Sequence, residues 1–325
     1  MTSAAISKKT FAGIAIEATP GTAMTAPALY IPNKIGLKNK QPQIYVDDDR
    51  GTVDKNYTST PGTRHAEGDW KGAWFNDTSG YLLKLAMGTD VVTQPDATNC
   101  PTVQLHTFAL ADIPPAATIF KSYVGKQYVA SYTALEKLNI KWNAASKEIE
   151  NDASFKSLWY VPYSGSTLTP TYSELNPFAG YLPVISLNGT QTFDVLDMEI
   201  DFTRKIELFY PSAGVPDFSR IDYGERECKI KFTARFDTDA VYLRYTGHTD
   251  DHINVVFTGP LIASHSATNY FHSLTLDFPV VRYDDGEQDL GKTNVLVKMS
   301  GTVIPGNTAN TLFSAVLQNI NTAYL

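Results

Sequence analysis

Polar and apolar residues alternate along several stretches of the chain. Lys137-Leu138-Asn139-Ile140-Lys141-Trp142 is one, and Asp197-Met198-Glu199-Ile200-Asp201-Phe202 is another. Lys229–Phe236 and Ser273–Phe278 repeat the pattern. Successive strand side chains point to opposite faces, so this period predicts strands that bury one face and wet the other. Such strands belong to antiparallel sheets covered on one side. The chain reads as mainly β.

Two short helices are expected between strands. In the first, Asp77 or Thr78 caps the N-terminus, Leu82, Leu83, Leu85 and Ala86 form an apolar stripe, and Gly88 ends it. In the second, Asp237 caps, Val241, Tyr242 and Tyr245 pack, and Gly247 ends it. Each follows a strand-like stretch closed by an aromatic residue and a short polar turn, which suggests an internal repeat. At an offset of 161, Phe75, Tyr81 and Leu82 fall on Phe236, Tyr242 and Leu243, and Ile35 and Leu37 fall on Leu196 and Met198. Downstream, Leu138, Ile140 and Trp142 match Leu274, Leu276 and Phe278 at an offset of 136, which leaves 25 extra residues in the first copy. The Pro-bearing stretch Thr89–Pro115 is their expected place. A turn-rich boundary at Tyr163–Pro170 then divides the chain into domains 1–168 and 169–325. The other reading is two unrelated β-rich halves.

Composition sharpens this. With 325 residues, 43% hydrophobic and 12% aromatic, the chain is large enough for two domains and too aromatic to stay disordered. No stretch approaches the ~20 apolar residues of a membrane helix, so no membrane partner is expected. The polar opening Met1–Lys9 lacks the apolar centre of a signal peptide, so the chain reads as an intracellular product. The balance of 27 basic and 34 acidic residues gives −7, which argues against tight phosphate contacts. It leaves room for a surface that DNA passes without sticking.

Chemistry is sparse. Cys100 and Cys228 are too few for a disulfide framework or a thiolate metal site. His248 and His252 flank Asp250-Asp251 but follow a helix stop and lack a metalloprotease signature. Asp47–Asp49 and the acidic turn at Asp284–Asp289 lack calcium-loop spacing. Gly286–Thr293 fits the phosphate-loop pattern formally, yet the Val-rich stretch after it reads as a strand, and Glu287 and Asp289 would repel a phosphate. No catalytic constellation, cofactor or metal site is expected. Two long excursions, Gln41–Arg64 and Glu207–Gly224, are too apolar for idle solvated loops. Ile44, Tyr45, Val46, Asp47, Asp48, Asp49, Arg50 and Tyr57 in the first, and Phe209, Tyr210 and Phe218 in the second, are expected to contact a neighbouring subunit. The alternative is that these loops fold back on their own domain.

The opening Gly13-Ile14-Ala15-Ile16-Glu17-Ala18-Thr19-Pro20-Gly21-Thr22-Ala23 resembles the start of tail tube proteins from long-tailed, siphovirus-type bacteriophages. So do Tyr30-Ile31-Pro32, the acidic excursion with Arg50-Gly51, Gly80-Tyr81-Leu82-Leu83-Lys84, and the closing Leu317–Tyr324. The resemblance implies a β-sandwich or half-barrel domain with a flanking helix and a long loop or hairpin, and the internal repeat would make two of these in tandem. It favours a strand over a helix for Leu312–Leu317.

It also implies a structural subunit of the virion tail, made in the host cytoplasm, with no enzymatic activity. Three copies would form a pseudo-sixfold ring, or six copies a true sixfold ring if one half only decorates. Rings would stack through long loops around a lumen for DNA, with tail tip or baseplate, tape measure and tail terminator proteins as partners. Asp197, Glu199 and Asp201 are candidates to face an acidic lumen, which would repel DNA. A monomeric β-sandwich binding module, for carbohydrate for example, is the alternative.

Overall fold

The computed structural model describes residues 10–46, 55, 58–123, 125–145, 148–173, 175–192, 195–235, 240–289, 295–306 and 311–325. The first half supplies β1 (Phe11–Ile16), β2 (Leu29–Ile31), β3 (Lys34–Lys40), the hairpin β4 (Gln43–Val46) and β5 (Thr58–Pro61), and β6 (His65–Ala73). Helix α1 (Gly80–Met87), β7 (Val91–Thr93), β8 (Gln104–Phe108) and β9 (Ala117–Tyr123) follow. The half ends with β10 (Lys126–Asn143), β11 (Glu150–Ser157) and β12 (Val161–Pro162). The second half supplies β13 (Val184–Leu187), β14 (Thr190–Thr192), β15 (Val195–Phe209), β16 (Arg220–Arg235) and helix α2 (Ala240–Thr246). It closes with β17 (Asp251–His265), β18 (Thr268–Asp289), β19 (Leu296–Val303) and β20 (Ser314–Asn319).

The four alternating stretches of sequence lie in β10, β15, β16 and β18. Their registers join, antiparallel throughout, into a run β3-β6-β11-β10-β15-β16-β19-β18. Alternation turns Leu138, Ile140, Met198, Ile200, Phe202, Ile230 and Phe232 inward, into one core that spans both halves and includes Trp70 and Trp74. Each such side chain contributes roughly 1.5–3 kcal/mol on burial.

The halves share one pairing scheme. In the first, β1 pairs with β2 and β9, β9 with β10, and β10 with β11 and β12, while β11 continues through β6 to β3. In the second, β13 pairs with β14 and β17, β17 with β18, and β18 with β19 and β20, while β19 continues through β16 to β15. Helix α1 packs on β10 and α2 on β18. Among the described residues the hairpin β4–β5 and strands β7 and β8 have no counterpart, and β7 and β8 fall within Thr89–Pro115.

The sequence offsets differ from this scheme. Leu274–Phe278 pairs with β17 and β20, so the counterpart of Leu138–Trp142 lies further on, in the part of β18 that pairs with β19. At an offset of 161, buried Trp70 falls on exposed Lys231, and buried Leu82 on exposed Leu243. Bulges are the cause. Register shifts at Leu135/Lys137, Val195/Asp197, Arg204/Ile206 and Tyr283/Asp285 each break a constant spacing and can invert the phase of the strand beyond.

Helix α1 buries every residue but Lys84. Its N-cap is Ser79, not Asp77 or Thr78, and the Ser79 hydroxyl accepts from the Phe75 N–H at 3.1 Å instead of capping. Gly88 ends the helix as expected, at φ 108°, a conformation that favours glycine. In α2, Tyr245 packs on the core and the Gly247 N–H closes the helix on Leu243 O at 2.7 Å. Its expected cap, Asp237, lies outside the described residues. Gly286–Asp289 continues strand β18 rather than opening a phosphate loop.

The ends of the halves are packed down. In the turn-rich boundary, Leu168 is buried against Ala15 and Phe120, so that segment belongs to the first half rather than to a free linker. Strand β20, the strand expected for Leu312–Leu317, starts at Ser314 and pairs with β18 and β8. Beyond it, Tyr324 enters the core of the first half, edge-on to Tyr81 at 4.9 Å and 4.8 Å from His106. Asn319 Nδ2 donates to Tyr324 Oη at 2.7 Å and to Asn76 O at 2.9 Å, and Asn321 Nδ2 donates to Asp77 O at 2.6 Å. A Cβ on Gly80 would stand 2.1 Å from the Tyr324 ring, so only glycine fits there.

Candidate functional site

The face of the eight-strand run opposite the core is charged. Asp197, Glu199 and Asp201 sit on it in β15, as alternation requires. They do not form an acidic stripe. Lys137 Nζ lies 2.9 Å from Asp201 Oδ2, and Asn139 Nδ2 donates to Glu199 Oε1 at 2.6 Å, both across the β10–β15 join. Similar pairs recur across the run: Lys71 with Asp152 at 3.1 Å, Lys141 with Glu150 at 3.4 Å, Lys156 with Glu136 at 2.8 Å and Lys229 with Glu227 at 2.9 Å. Such half-exposed pairs contribute about 0–1 kcal/mol each to stability. Their consequence is electrostatic, because interleaved lysines make this face a mosaic rather than an acidic surface. The lysines are legible in the sequence as Lys-x-Lys at Lys38–Lys40 and Lys229–Lys231.

The run ends in two open edges. β3 is bonded to β6 on one side, and Tyr283–Gln288 of β18 is bonded to β19 on one side. No described strand pairs with the other side of either. Within the chain the corresponding positions are occupied: β15, the counterpart of β3, is zipped to β10, the counterpart of β18, from Lys137↔Thr203 to Asn143↔Asp197. An exposed edge is a template for pairing with another chain.

The expected contact residues divide into two groups. Ile44 and Tyr45 are 57% and 62% exposed on the β4–β5 hairpin, with Val46 partly covered beside them. A two-stranded hairpin is marginal alone, so its exposed apolar residues suit a partner. Phe209 is also exposed, beneath the Arg220 guanidinium at 5.0 Å. Asp47, Asp48, Asp49, Arg50 and Tyr57 lie outside the described residues. Phe218, by contrast, is buried in its own chain between Tyr132 and Tyr210, and Tyr210 Oη lies 3.2 Å from His65 Nδ1. The second excursion is the tip of the β15–β16 hairpin and folds back. Arg64 holds it there, donating to Asp217 Oδ1 and Oδ2 at 2.7 and 2.8 Å and lying 5.2 Å from the Trp159 ring. Nothing local in the sequence signals that tie, since its partners are 153 residues apart.

Buried ionisable groups serve architecture. Glu17 accepts from the Tyr132 N–H at 2.7 Å, the Gly21 N–H at 2.7 Å and the Thr118 hydroxyl at 2.8 Å. Burial pushes its carboxyl above the ordinary range despite those bonds. The clamp fixes Tyr132 at φ 52°, where β10 shifts register between Ala130 and Thr133. Arg204 is buried and donates to Ala111 O at 2.9 Å and Asp112 O at 3.3 Å. Burial, with Arg226 nearby, pulls its guanidinium down to about 10. Among the described residues, no three His, Cys, Asp or Glu side chains gather as a metal site would.

A family model described as "Phage tail tube protein" matches residues 7–307 of the chain. No curated protein matches it.

Proposed function

The chain belongs to the phage tail tube protein family, a structural rather than an enzymatic family, and from that premise we propose that three copies close into a pseudo-sixfold ring. In this reading residues 1–168 and 169–325 are duplicates of one tube-forming unit. The observation that carries it is the β10–β15 join, which links the two halves edge to edge and leaves the equivalent edges, β18 and β3, unpaired at the ends of the run. Head-to-tail joining of those edges closes a ring, and stacked rings make a tube.

Size favours several chains over one. Eight strands closed on themselves enclose side chains or at most one small ligand, far too little for a DNA duplex. Three chains bring about 24 strands, and at ~4.8 Å per strand these give a circumference of about 115 Å and a backbone diameter of ~37 Å before strand tilt widens it. The charged face then lines the lumen of a siphovirus-type tail. Its paired lysines and carboxylates offer DNA little counterion release, and lysine lacks the bidentate fork with which arginine grips phosphate. Ile44 and Tyr45 on β4–β5 pack on the next ring. Tail tip or baseplate, tape measure and tail terminator proteins meet the ends and the bore of the tube.

Electron microscopy of assembled rings tests this. Threefold symmetry with two similar lobes per chain is expected. A sixfold ring with a peripheral lobe would reject the duplication. Protein that stays monomeric even beside a tail tip complex would reject the tube.

A further inference from the structure

The two open edges differ in one respect that ring closure alone does not require. β3 reads Lys34-Ile-Gly-Leu-Lys38-Asn-Lys40 and holds three cations and no carboxylate, whereas Tyr283-Asp284-Asp285-Gly286-Glu287-Gln288 of β18 holds three carboxylates and no cation. The join inside the chain is also charge-sorted, with the polarity exchanged. Its β10 side, Lys137–Asn143, carries Lys137 and Lys141 and no acid, and its β15 side, Asp197–Thr203, carries Asp197, Glu199 and Asp201 and no base. Across that join the Lys137–Asp201 pair is made at 2.9 Å. At the open edges, Lys34 and Lys38 and Asp285 and Glu287 have no ion pair within 4.0 Å among the described residues, although most lysines further inside the run do. Lys40 pairs with Glu67 at 3.2 Å and Asp284 accepts from the Thr302 hydroxyl, so those four are the edge charges without a close partner, although Glu287 faces Lys298 across β18 and β19.

We infer that these four residues are a charge code by which the β18 edge of one copy selects the β3 edge of a second copy and no other edge. This rests on the ring reading above, and it adds what that reading lacks, a reason for direction. An open antiparallel edge can pair with its own twin about a twofold axis, which gives a closed dimer instead of a ring. Here a β3–β3 pairing sets lysines against lysines, and a β18–β18 pairing sets carboxylates against carboxylates. Like charges placed directly opposite destabilise a strand pair, and they discriminate between partners more strongly than matched charges add affinity. The β18–β3 pairing alone places Asp285 and Glu287 along Lys34 and Lys38.

The test uses full-length chains. The double variants Lys34→Glu/Lys38→Glu and Asp285→Lys/Glu287→Lys each give a chain whose two edges carry the same sign. Both are expected to stay folded, melting slightly below the wild type because Glu287 faces Lys298 and Lys38 faces Glu67 within the chain, and to lose ring assembly by sedimentation and electron microscopy. The fourfold variant, with the code reversed on both edges, is expected to form rings again. An equimolar mixture of the doubles joins only alternately, so it closes rings of an even number of chains and not rings of three. Neutral variants, Lys34→Gln/Lys38→Gln and Asp285→Asn/Glu287→Gln, serve where a reversal fails to fold, and should raise the concentration needed for assembly about tenfold. Doubles that assemble like the wild type, or a folded fourfold variant that does not assemble, would overturn the code while leaving the ring intact. A wild-type chain that forms no rings would overturn both.

Discussion

Tyr324 is the test of how tightly the halves are bound together. Its side chain is fully buried beneath α1, its hydroxyl takes one hydrogen of the Asn319 amide, and Lys84 Nζ donates to its carbonyl at 2.5 Å. Truncating a large buried aromatic to alanine costs about 3–5 kcal/mol. Stranding the Asn319 hydrogen adds about 1–3 kcal/mol if water does not enter. Tyr324→Ala should therefore cost about 4 kcal/mol or more, a large share of the ~5–15 kcal/mol that holds a typical domain. Tyr324→Phe, which removes only the hydroxyl, should cost about 1–2 kcal/mol.

A chain of 325 residues need not unfold in one step, so the sharper assay is amide hydrogen exchange followed by peptide. In Tyr324→Ala, peptides covering Gly80–Met87 should exchange about a thousandfold faster, at 1.4 kcal/mol per factor of ten. Peptides covering α2, which Tyr324 does not touch, should hold their protection. Unchanged exchange in α1 would refute the reasoning. So would equal acceleration in α1 and α2, because the loss would then be global.

Three further outcomes follow from named contacts. Deleting Asp47–Ser59, the segment between β4 and β5 together with the first two residues of β5, should leave the melt within about 1 kcal/mol of wild type while impairing tube growth in microscopy, and global unfolding would show that the segment belongs to the core. Glu17→Gln puts an amide where the Gly21 N–H needs an acceptor and should cost about 1–3 kcal/mol. Because the folded state raises the Glu17 pKa above the ordinary 4.5, its contribution is fully present below 4.5 and is lost as pH rises through the folded value. The gap between wild type and Glu17→Gln in denaturant titrations should therefore be widest in acid and narrow toward neutrality. Arg204→Ala should cost about 2–4 kcal/mol by opening a cavity and releasing the Ala111 and Asp112 carbonyls, and Arg204→Met, which refills the cavity, should cost less in thermal melts.

Local pattern made much of the fold readable. Leu138, Ile140 and Trp142 declare their shared face because nothing interrupts β10 between them, and Gly88 marks a helix end that needs its conformation. The pattern gave way where a residue's role is set by something far along the chain. Bulges such as Tyr283/Asp285 reset the phase, so a repeat visible in the topology could not keep a constant spacing in sequence. Asp77 and Thr78 look like caps, yet they are buried under the turn where Asn321 arrives from 244 residues away. Phe218 looks like an exposed anchor until Arg64 pulls its loop home. The charged face is half legible: Asp197, Glu199 and Asp201 declare themselves by sign and alternation, while the lysines that meet them across the joins leave no local signature because the partners lie on different strands.

The reach of Tyr324 also orders events in time. It lies 237 residues downstream of Met87, the last residue of α1. At roughly 5–20 residues per second, the ribosome needs about 12–47 s to pass from one to the other. Through that interval α1 lacks its cover and β8 lacks β20. The first half of the chain is made first and finished last. In the proposed ring, a nascent chain would therefore have no completed β3-bearing half to offer, and polymerisation would be withheld from every chain not yet translated through Tyr324.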